Sequence, residues 1–238
     1  MKALTGVSTA IEKYLTALDA EVQRAYGTAT SARKKGYDPE DRVDAPLAKN
    51  LAERVEGLVS ASVPSILGSG VAKRIQELEK KHGALASEVA LIIAEEVAKE
   101  KFCKFKSEKE AMETGIRTGF AYHTTGVVSA PLEGFIELKI KNRADGKKYV
   151  AASFAGPIRG AGGTATAFCL VIIDYIRNKF GYHAYDPTED EMLRCVTELY
   201  DYHDRVTNLQ YKPSEEEIKF LISNCPIEVE GEPTEDIE

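Results

Sequence analysis

The sequence predicts an α+β fold in which a helical N-terminal arm and further helices surround a small antiparallel sheet. Apolar residues recur with a helical period through the first hundred residues. Strict alternation follows in residues 136–141, and a glycine-rich run precedes an apolar helix. The chain has 238 residues, of which 43% are hydrophobic and 29% charged. It can therefore bury a sizeable core, and we expect two or three packed units.

The N-terminal arm, residues 1–45, is predicted to be one helix followed by a linker. The helix reaches about Lys35, and Gly36–Pro46 is typical of a linker because it combines Asp-Pro with a cluster of charges. A narrow apolar stripe recurs at steps of four, three and four residues and is formed by Ile11, Leu15, Leu18 and Val22. The stripe packs on the chain's own helices or mediates self-association or a subunit contact.

Residues 46–115 are predicted to be a helical region. One helix starts at Leu47, with Leu51, Val55 and Leu58 on one face, and Pro64–Gly70 interrupts the pattern. Two further helices fit Val71–Lys81 and Ala84–Lys99. Ser107 and Glu110 form the pattern of a capping box, which indicates one more short helix before the period changes after Gly115.

Residues 116–238 are predicted to form the α+β region, which opens with a β-hairpin. In the first strand Ile136, Leu138 and Ile140 alternate with Glu137, Lys139 and Lys141. Asp145-Gly146 provides the turn, and Tyr149–Phe154 returns as the partner strand.

Three helices are predicted after the hairpin. The first covers Ala165–Lys179 and ends at Gly181, while the capping boxes Thr188/Glu191 and Ser214/Glu217 open the other two. The apolar faces of these two helices carry Met192, Val196, Leu199, Ile218, Leu221 and Ile222. The acidic stretch Glu228–Glu238 has no periodic pattern and is interpreted as a possible cut point within a longer protein.

The hairpin carries the best local basic patch of an otherwise acidic chain. The formal net charge is −7, so nothing in the overall charge favours nucleic acid and any DNA contact requires a local patch. The candidates are Lys139, Lys141 and Lys147, with Arg143 and Lys148 nearby. They contact a DNA backbone or form a solvated strand edge that resists aggregation.

The glycine-rich turn Gly156–Thr164 is a candidate phosphate site. Glycine allows close backbone approach, and a helix N-terminus offers free N–H groups to an anion. Arg159 adds a bidentate donor and Thr164 a cap or a hydroxyl donor, alongside Gly160, Gly162 and Gly163. Close packing under neighbouring elements explains the same glycines equally well.

Two nucleotide-binding motifs can be compared with this turn. It is not a P-loop, because no Gly-Lys-Ser/Thr follows the glycines. Residues 160–165 do satisfy G-x-G-x-x-A, with Asp186 at about the distance that a dinucleotide site requires. Pro157, the hairpin before the turn and the capping sequence after Asp186 argue against this alternative.

No other residues point to chemistry, and we predict neither a catalytic nor a metal site. The four cysteines are widely spaced, which favours free thiols in a reducing cytoplasm. Asp201, His203 and Asp204 point in different directions on a helix, and His123 and His183 are isolated. The longest apolar run is too short to span a membrane.

Several motifs of the second half resemble a known family. They are AASFAGPIRGAGGT at 151–164, Asp174-Tyr175, Asp186-Pro-Thr-Glu189, LQYKPSE at 209–215 and GEPTE at 231–235. Together they resemble the N-terminal region of the large subunit of archaeal family D DNA polymerase. The first half agrees mainly in its helical character.

This resemblance implies a module of a heterodimeric replicative enzyme. In that family the large subunit adds nucleotides, with Mg²⁺ expected, and a small subunit provides a 3′-5′ exonuclease. The polymerising aspartates lie in a double-psi barrel core with no matching motif in this sequence, so no catalytic residue and no cofactor are assigned to these residues. The expected partners are the small subunit and DNA, together with a second copy of the chain bound through the N-terminal helix.

Three functions therefore remain open at the level of the sequence. The first is a non-catalytic region that serves assembly and DNA positioning in a cytoplasmic polymerase. The second is a pure oligomerisation scaffold without DNA contact. The third is a dinucleotide- or phosphate-binding enzyme that uses the glycine turn.

Overall fold

The chain folds into two compact units, Met1–Pro46 and Leu47–Glu238. The computed structural model describes residues 8–37, 48–127, 129–156, 158, 163–206 and 208–231. The helices in these ranges are α1 (Thr9–Lys34), α2 (Leu51–Ser62), α3 (Val71–His82), α4 (Ser87–Ala98), α5 (Glu108–His123), α6 (Gly163–Lys179), α7 (Glu189–Arg205) and α8 (Glu215–Asn224). The strands are β1 (Phe135–Asn142), β2 (Lys148–Phe154) and β3 (Glu228–Gly231). A 3₁₀ turn covers Pro64–Ile66, and a π-helical turn, Ser129–Gly134, leads into β1.

The first unit contains the single long helix α1, which confirms the predicted N-terminal helix. Ser8 caps it by accepting a hydrogen bond from the Ile11 N–H, and Gly36 follows its end with a φ of 73°. None of its residues is buried. The predicted linker Gly36–Pro46 falls largely on residues 38–47, which lie outside the described residues.

In the second unit α5 lies between two hydrophobic clusters. Met112, Ile116 and Phe120 belong to a core shared with the sheet and α6. Ala121 and Tyr122 belong to a second core, which is built mainly by α2, α3 and α4. Because α5 contributes to both cores, its position decides how the helical half and the sheet half fit together.

Two glycines of α5 allow it to pack directly against the backbone of α4. A Cβ on Gly115 would lie 2.4 Å from the Ala94 carbonyl oxygen, and one on Gly119 would lie 2.6 Å from that of Ala90. The helical period of the sequence was predicted to change after Gly115. This prediction is wrong, because α5 continues to His123. The expected boundary between residues 115 and 116 falls inside this helix.

Side-chain caps explain where α2 and α5 begin. The second helix starts at Leu51 rather than Leu47, because the Asn50 side chain accepts the Glu53 N–H. Ser107 caps α5 as predicted, although the Glu110 carboxylate accepts the N–H of Lys106 instead of that of Ser107. The resulting helix has 16 residues and is not short.

The predicted hairpin is confirmed, and it belongs to a mixed three-stranded sheet. β1 and β2 are antiparallel and joined through a turn in which Gly146 has a φ of 80°. β3 pairs with β2 in parallel, so the expectation of a purely antiparallel sheet is wrong. The α+β class itself is confirmed. Glu228–Gly231 is a strand, although the sequence shows no period there.

The alternation in β1 is only partly reproduced. Leu138 is buried, but Ile140 is 39% exposed near the end of the hairpin. A change of register between Phe135 and Glu137 marks an irregularity at the start of the strand.

The three helices after the hairpin agree with their predicted signals. Gly181 follows the end of α6 with a φ of 76°. Both predicted capping boxes are complete, with Thr188 opening α7 and Ser214 opening α8. None of the described helices is both long and apolar enough to cross a bilayer, and all four cysteines are free as predicted.

Candidate nucleic-acid interface

Ala155 and Ile158, on either side of the exposed Gly156, anchor the start of the glycine turn to the core. The Ala155 N–H donates to the Gly134 carbonyl at 2.9 Å, and Ile158 is only 8% exposed. A Cβ on Gly134 would lie 2.8 Å from the Ile158 nitrogen, so only glycine fits at that position. The tight glycine here is Gly134, outside the turn, whereas a Cβ on Gly156 or Gly163 would have no other atom within 4 Å, so close packing does not explain these two glycines.

The end of the glycine turn is exposed. Gly163 and Thr164 both lie at the surface in the first turn of α6, where N–H groups have no acceptor within the helix. The Thr166 hydroxyl donates to the Ile158 carbonyl at 3.1 Å and so ties the two ends together. Arg159, Gly160 and Gly162 lie outside the described residues, and their phosphate-binding role stays a prediction.

A side-chain clamp that the sequence analysis did not identify holds the segment before β1. The Arg117 guanidinium donates to the carbonyls of Pro131 at 2.8 Å and of Phe135 and Ile136 at 2.5 Å. One turn earlier on α5, Glu113 accepts the Leu138 N–H at 2.7 Å. β1 is an edge strand, so these side chains satisfy backbone groups that would otherwise lack partners.

The electrostatics of this clamp follow from its burial. Burial raises the pKa of the Glu113 carboxyl, and the bond from Leu138 and the nearby charges of Lys109 and Arg117 offset this only in part. Burial likewise lowers the pKa of Arg117. Glu113 and Arg117 are four residues apart, which places them on one face of a helix, and this spacing was the only signal of the clamp in the sequence. The backbone groups that the two side chains bind lie in another element.

The hairpin lysines are ion-paired with β3. Lys139 contacts Glu230 at 2.7 Å, and Lys141 contacts Glu228 at 3.0 Å and Glu230 as well. These pairs reach across β2, where Ala151 faces Lys139 on one side and Glu228 on the other. The lysines therefore hold the outer strands together, and much of their charge is compensated.

The charges at the hairpin tip are also largely compensated. Arg143 contacts Asp186 at 2.8 Å and Asp145 at 3.4 Å. Lys147 contacts Asp145 at 3.2 Å. Lys148 is exposed and has no ion pair within the described part of the chain. The basic patch thus presents less net positive charge than its sequence suggests.

The dinucleotide alternative requires an acidic residue beside the glycine turn. Asp186 is held by Arg143 beside Lys148, the first residue of β2. The glycine turn follows Phe154, the last residue of that strand. Asp186 therefore lies near one end of β2 and Phe154 forms the other, roughly 20 Å away, while the motif glycines Gly160 and Gly162 lie outside the described residues.

His123, His203 and Asp204 each contact a neighbouring side chain or backbone group. His123 stacks on Phe168 with ring centroids 3.8 Å apart, and burial lowers its pKa. His203 accepts the Leu209 N–H, while Asp204 pairs with Lys212. Within the described ranges, no group of three or more potential ligands is arranged to hold a metal ion.

The predicted self-association stripe is largely exposed on α1. Ile11 is 50%, Leu15 37% and Leu18 48% exposed, and Val22 is partly buried. An exposed apolar stripe on a helix is typical of a contact surface.

Charge is distributed unevenly along the second unit. Residues 186–238 contain sixteen Asp and Glu against four Lys and Arg, whereas residues 48–185 contain fifteen against twenty. α7 and α8 lie in the acidic part. The part after residue 186 is therefore electrostatically unfavourable for a polyanion, and the part before it is slightly basic.

Comparisons with known proteins identify the family of the chain. Residues 13–238 match the family described as DNA polymerase II large subunit DP2, N-terminal. The chain belongs to this family. The resemblance seen in the sequence is confirmed at the level of the DNA polymerase II large subunit.

Curated relatives carry the same description. The chain is 45% identical over 225 residues to the DNA polymerase II large subunit of Nanoarchaeum equitans, covering 94% of this chain and 18% of the relative. The subunit of Archaeoglobus fulgidus is 44% identical over 229 residues, with 96% and 19% covered. That of Thermococcus kodakarensis is 40% identical over 233 residues, with 97% and 12% covered. The chain thus spans at most about a fifth of these relatives.

Proposed function

We propose that the chain is the non-catalytic N-terminal region of the large subunit of a replicative, family D type DNA polymerase. Its role in this proposal is subunit assembly together with DNA positioning. The observation that carries the proposal is the family match over residues 13–238. Nucleotide addition then belongs to the rest of the large subunit, where Mg²⁺ is expected, and proofreading belongs to a small exonuclease subunit. The place of action is the cytoplasm.

The structural use of buried carboxylates supports a non-catalytic role. Glu56 accepts the N–H groups of Gly68 and Ala72 and so fixes the start of α3. Burial raises the pKa of Glu95, but hydrogen bonds from Lys99, Tyr175 and Lys179 outweigh this effect and lower it to about 2. Glu95 is therefore ionised at neutral pH and links α4 to α6.

The assembly role is assigned to α1. Its stripe of Ile11, Leu15, Leu18 and Val22 is the longest apolar seam that the described chain leaves accessible on a single helix. A seam with steps of four and three residues fits a partner helix, from a second copy or from another subunit.

The DNA-positioning role is assigned to the hairpin tip and the glycine turn. Lys139 and Lys141 are committed to β3, so the proposed phosphate contacts are carried by Lys148, by Lys147 with its exposed pair to Asp145, and by the turn residues Arg159 to Thr164. Such contacts make affinity fall steeply with salt.

The assembly proposal is tested in the complete two-subunit polymerase. The double substitution Leu15→Glu and Leu18→Glu places two charges on the seam. We expect a smaller assembly by multi-angle light scattering, because burying two unpaired carboxylates costs several kcal/mol. The control is Ala17→Glu with Ala20→Glu, which adds the same charge on other faces of α1. An unchanged mass for the seam variant would reject the assembly role.

A pure scaffold without DNA contact is the second candidate, and the compensated lysines of the hairpin favour it. Lys147→Glu with Lys148→Glu discriminates between the two when DNA affinity of the polymerase is measured from 50 to 200 mM salt. DNA positioning predicts weaker binding and a flatter salt dependence. The scaffold predicts the same titration as the control Lys80→Glu with Lys81→Glu on α3.

A further inference from the structure

An exposed apolar groove lies on α8 in the second unit. It runs between the segment Tyr211–Pro213 and the side chains of Phe220 and Leu221, and it has a volume of about 700 Å³. Tyr211 and Phe220 are each 66% exposed, and Leu221 is 61% exposed. Three large apolar side chains exposed side by side are uncommon on a surface that stays in contact with water.

The fold of the α7–α8 hairpin explains why the groove remains open. The two helices bury one apolar side chain each, Val196 at 6% and Ile218 at 4% exposure. The Lys219 ammonium joins them through Glu189 at 2.6 Å. Phe220 and Leu221 follow Ile218 on other faces of α8, so the hairpin can form without covering them.

The rim of the groove is acidic. Glu216 and Glu217 line it, and Glu217 already accepts the Tyr211 hydroxyl at 2.6 Å. Glu216 has no ion pair among the described residues. Residues 186–231, which include α7 and α8, contain twelve acidic and four basic side chains. This charge repels nucleic acid and anionic lipid and attracts a cationic protein surface.

We propose that the groove docks a cationic amphipathic segment of the same large subunit, contributed by the part that follows residue 238. The inference rests on the proposed function, because the relatives extend far beyond the 12 to 20% of their length that this chain covers. Apolar side chains of that segment fill the groove, and its Lys or Arg side chains face Glu216. Contact within one polypeptide benefits from a high effective concentration, so a modest apolar surface suffices.

Photocrosslinking in the complete polymerase tests the docking. A photoreactive amino acid at Leu221 is activated in the two-subunit enzyme, and the linked peptides are identified by mass spectrometry. We expect crosslinks to a Lys- and Arg-rich segment of the same large subunit. Crosslinks only to the small subunit, to DNA or to a second copy overturn the proposal, as does the absence of any crosslink.

Two substitutions test the chemistry of the groove. Phe220→Ser removes an aromatic anchor and is expected to lower the crosslink yield by about tenfold or more. Glu216→Lys is expected to lower the crosslink yield by about threefold, which is the effect of losing an exposed ion pair. It should also remove most of the dependence of that yield on salt concentration. Yields that both substitutions leave unchanged would overturn the proposal. Both positions are exposed, and helix content by circular dichroism verifies folding.

A matched probe controls for general reactivity. The same photoreactive amino acid at Leu67, which is 51% exposed after the 3₁₀ turn, should not label the cationic segment. Equal labelling from both positions contradicts a specific groove. The substitutions on α1 separate this inference from the proposed function, because a groove without a partner leaves the effect of Leu15→Glu and Leu18→Glu intact.

Discussion

The helix pairs α4–α5 and α7–α8 of the second unit are stabilised in opposite ways. In α4–α5 the glycines at 115 and 119 lie against the carbonyls of Ala94 and Ala90, so the two backbones are in contact. In α7–α8 each helix buries a single apolar residue. The first pair depends on packing between helices, and the second depends on signals within each helix.

This difference indicates which substitutions destabilise each of the two helix pairs. Both helices of the α7–α8 pair begin with a complete capping box and three acidic residues in the first turn, which favour the helix without a partner. The pair can therefore leave Phe220 and Leu221 to a second surface. α5 contains glycines that weaken an isolated helix, so its formation depends on packing against α4.

The largest expected effect is on the α4–α5 contact. Gly115→Ala places a methyl group 2.4 Å from the Ala94 carbonyl, which cannot move without separating the helices. We expect the free energy of unfolding to fall by about 3 kcal/mol, measured by urea unfolding followed by circular dichroism.

Gly27→Ala is the matched control for this substitution. Gly27 is also helical, but a Cβ added there would have no other atom within 4 Å. At this position the better helix propensity of alanine should stabilise α1 by up to about 1 kcal/mol. Effects of the same sign at both glycines would contradict the packing explanation.

The second expected effect is on the clamp between α5 and β1. Arg117→Met leaves the carbonyls of Phe135 and Ile136 without their donor. We expect a loss of about 2 kcal/mol of stability and faster hydrogen exchange at Leu138 and Ala155. Lys109→Met removes a partly exposed cation two turns earlier on the same helix, whose contact with β1 is an ion pair to Glu137, and should cost less than about 1 kcal/mol. Equal losses for both would show that Arg117 has no special role.

The smallest expected effect is on the α7–α8 pair. Ser214→Ala removes the cap that accepts the Glu217 N–H, which costs about 1 kcal/mol. Hydrogen exchange should accelerate in α8 while α4 and α5 keep their protection. Thr197→Ala, in the middle of α7, removes a hydroxyl without removing a cap and serves as the control. Loss of protection throughout the unit would contradict the independence of this hairpin.

Much of the fold was predictable because its signals are local. The end of α1, the turn at Gly146, the end of α6 and both capping boxes were found at their predicted places. β3 could not be predicted, because its four residues form a strand only through pairing with β2. Gly115 was misinterpreted for the same reason, since a glycine that ends a helix and one that packs against a helix look alike in sequence.

The residues of the candidate interface could be predicted from the sequence, but their ion-pair partners could not. Strand alternation places Lys139 and Lys141 on one face, and this face was predicted. Their carboxylate partners come from residues that lie about 90 positions later in the chain. The charge that the hairpin presents to DNA therefore depends on a contact of high sequence separation.

The amino-acid sequence by itself determined the α+β class, the capped helices, the hairpin and the family to which the chain belongs. The fold features follow from periodicity, capping and turn chemistry, which act within a few residues, whereas the family follows from the resemblance of the sequence motifs. Only the tertiary structure decided the parallel addition of β3, the pairing of the lysines, the Arg117 clamp and the packing of the helix glycines. Each of these contacts joins distant parts of the chain, and such proximity exists only once the chain has folded.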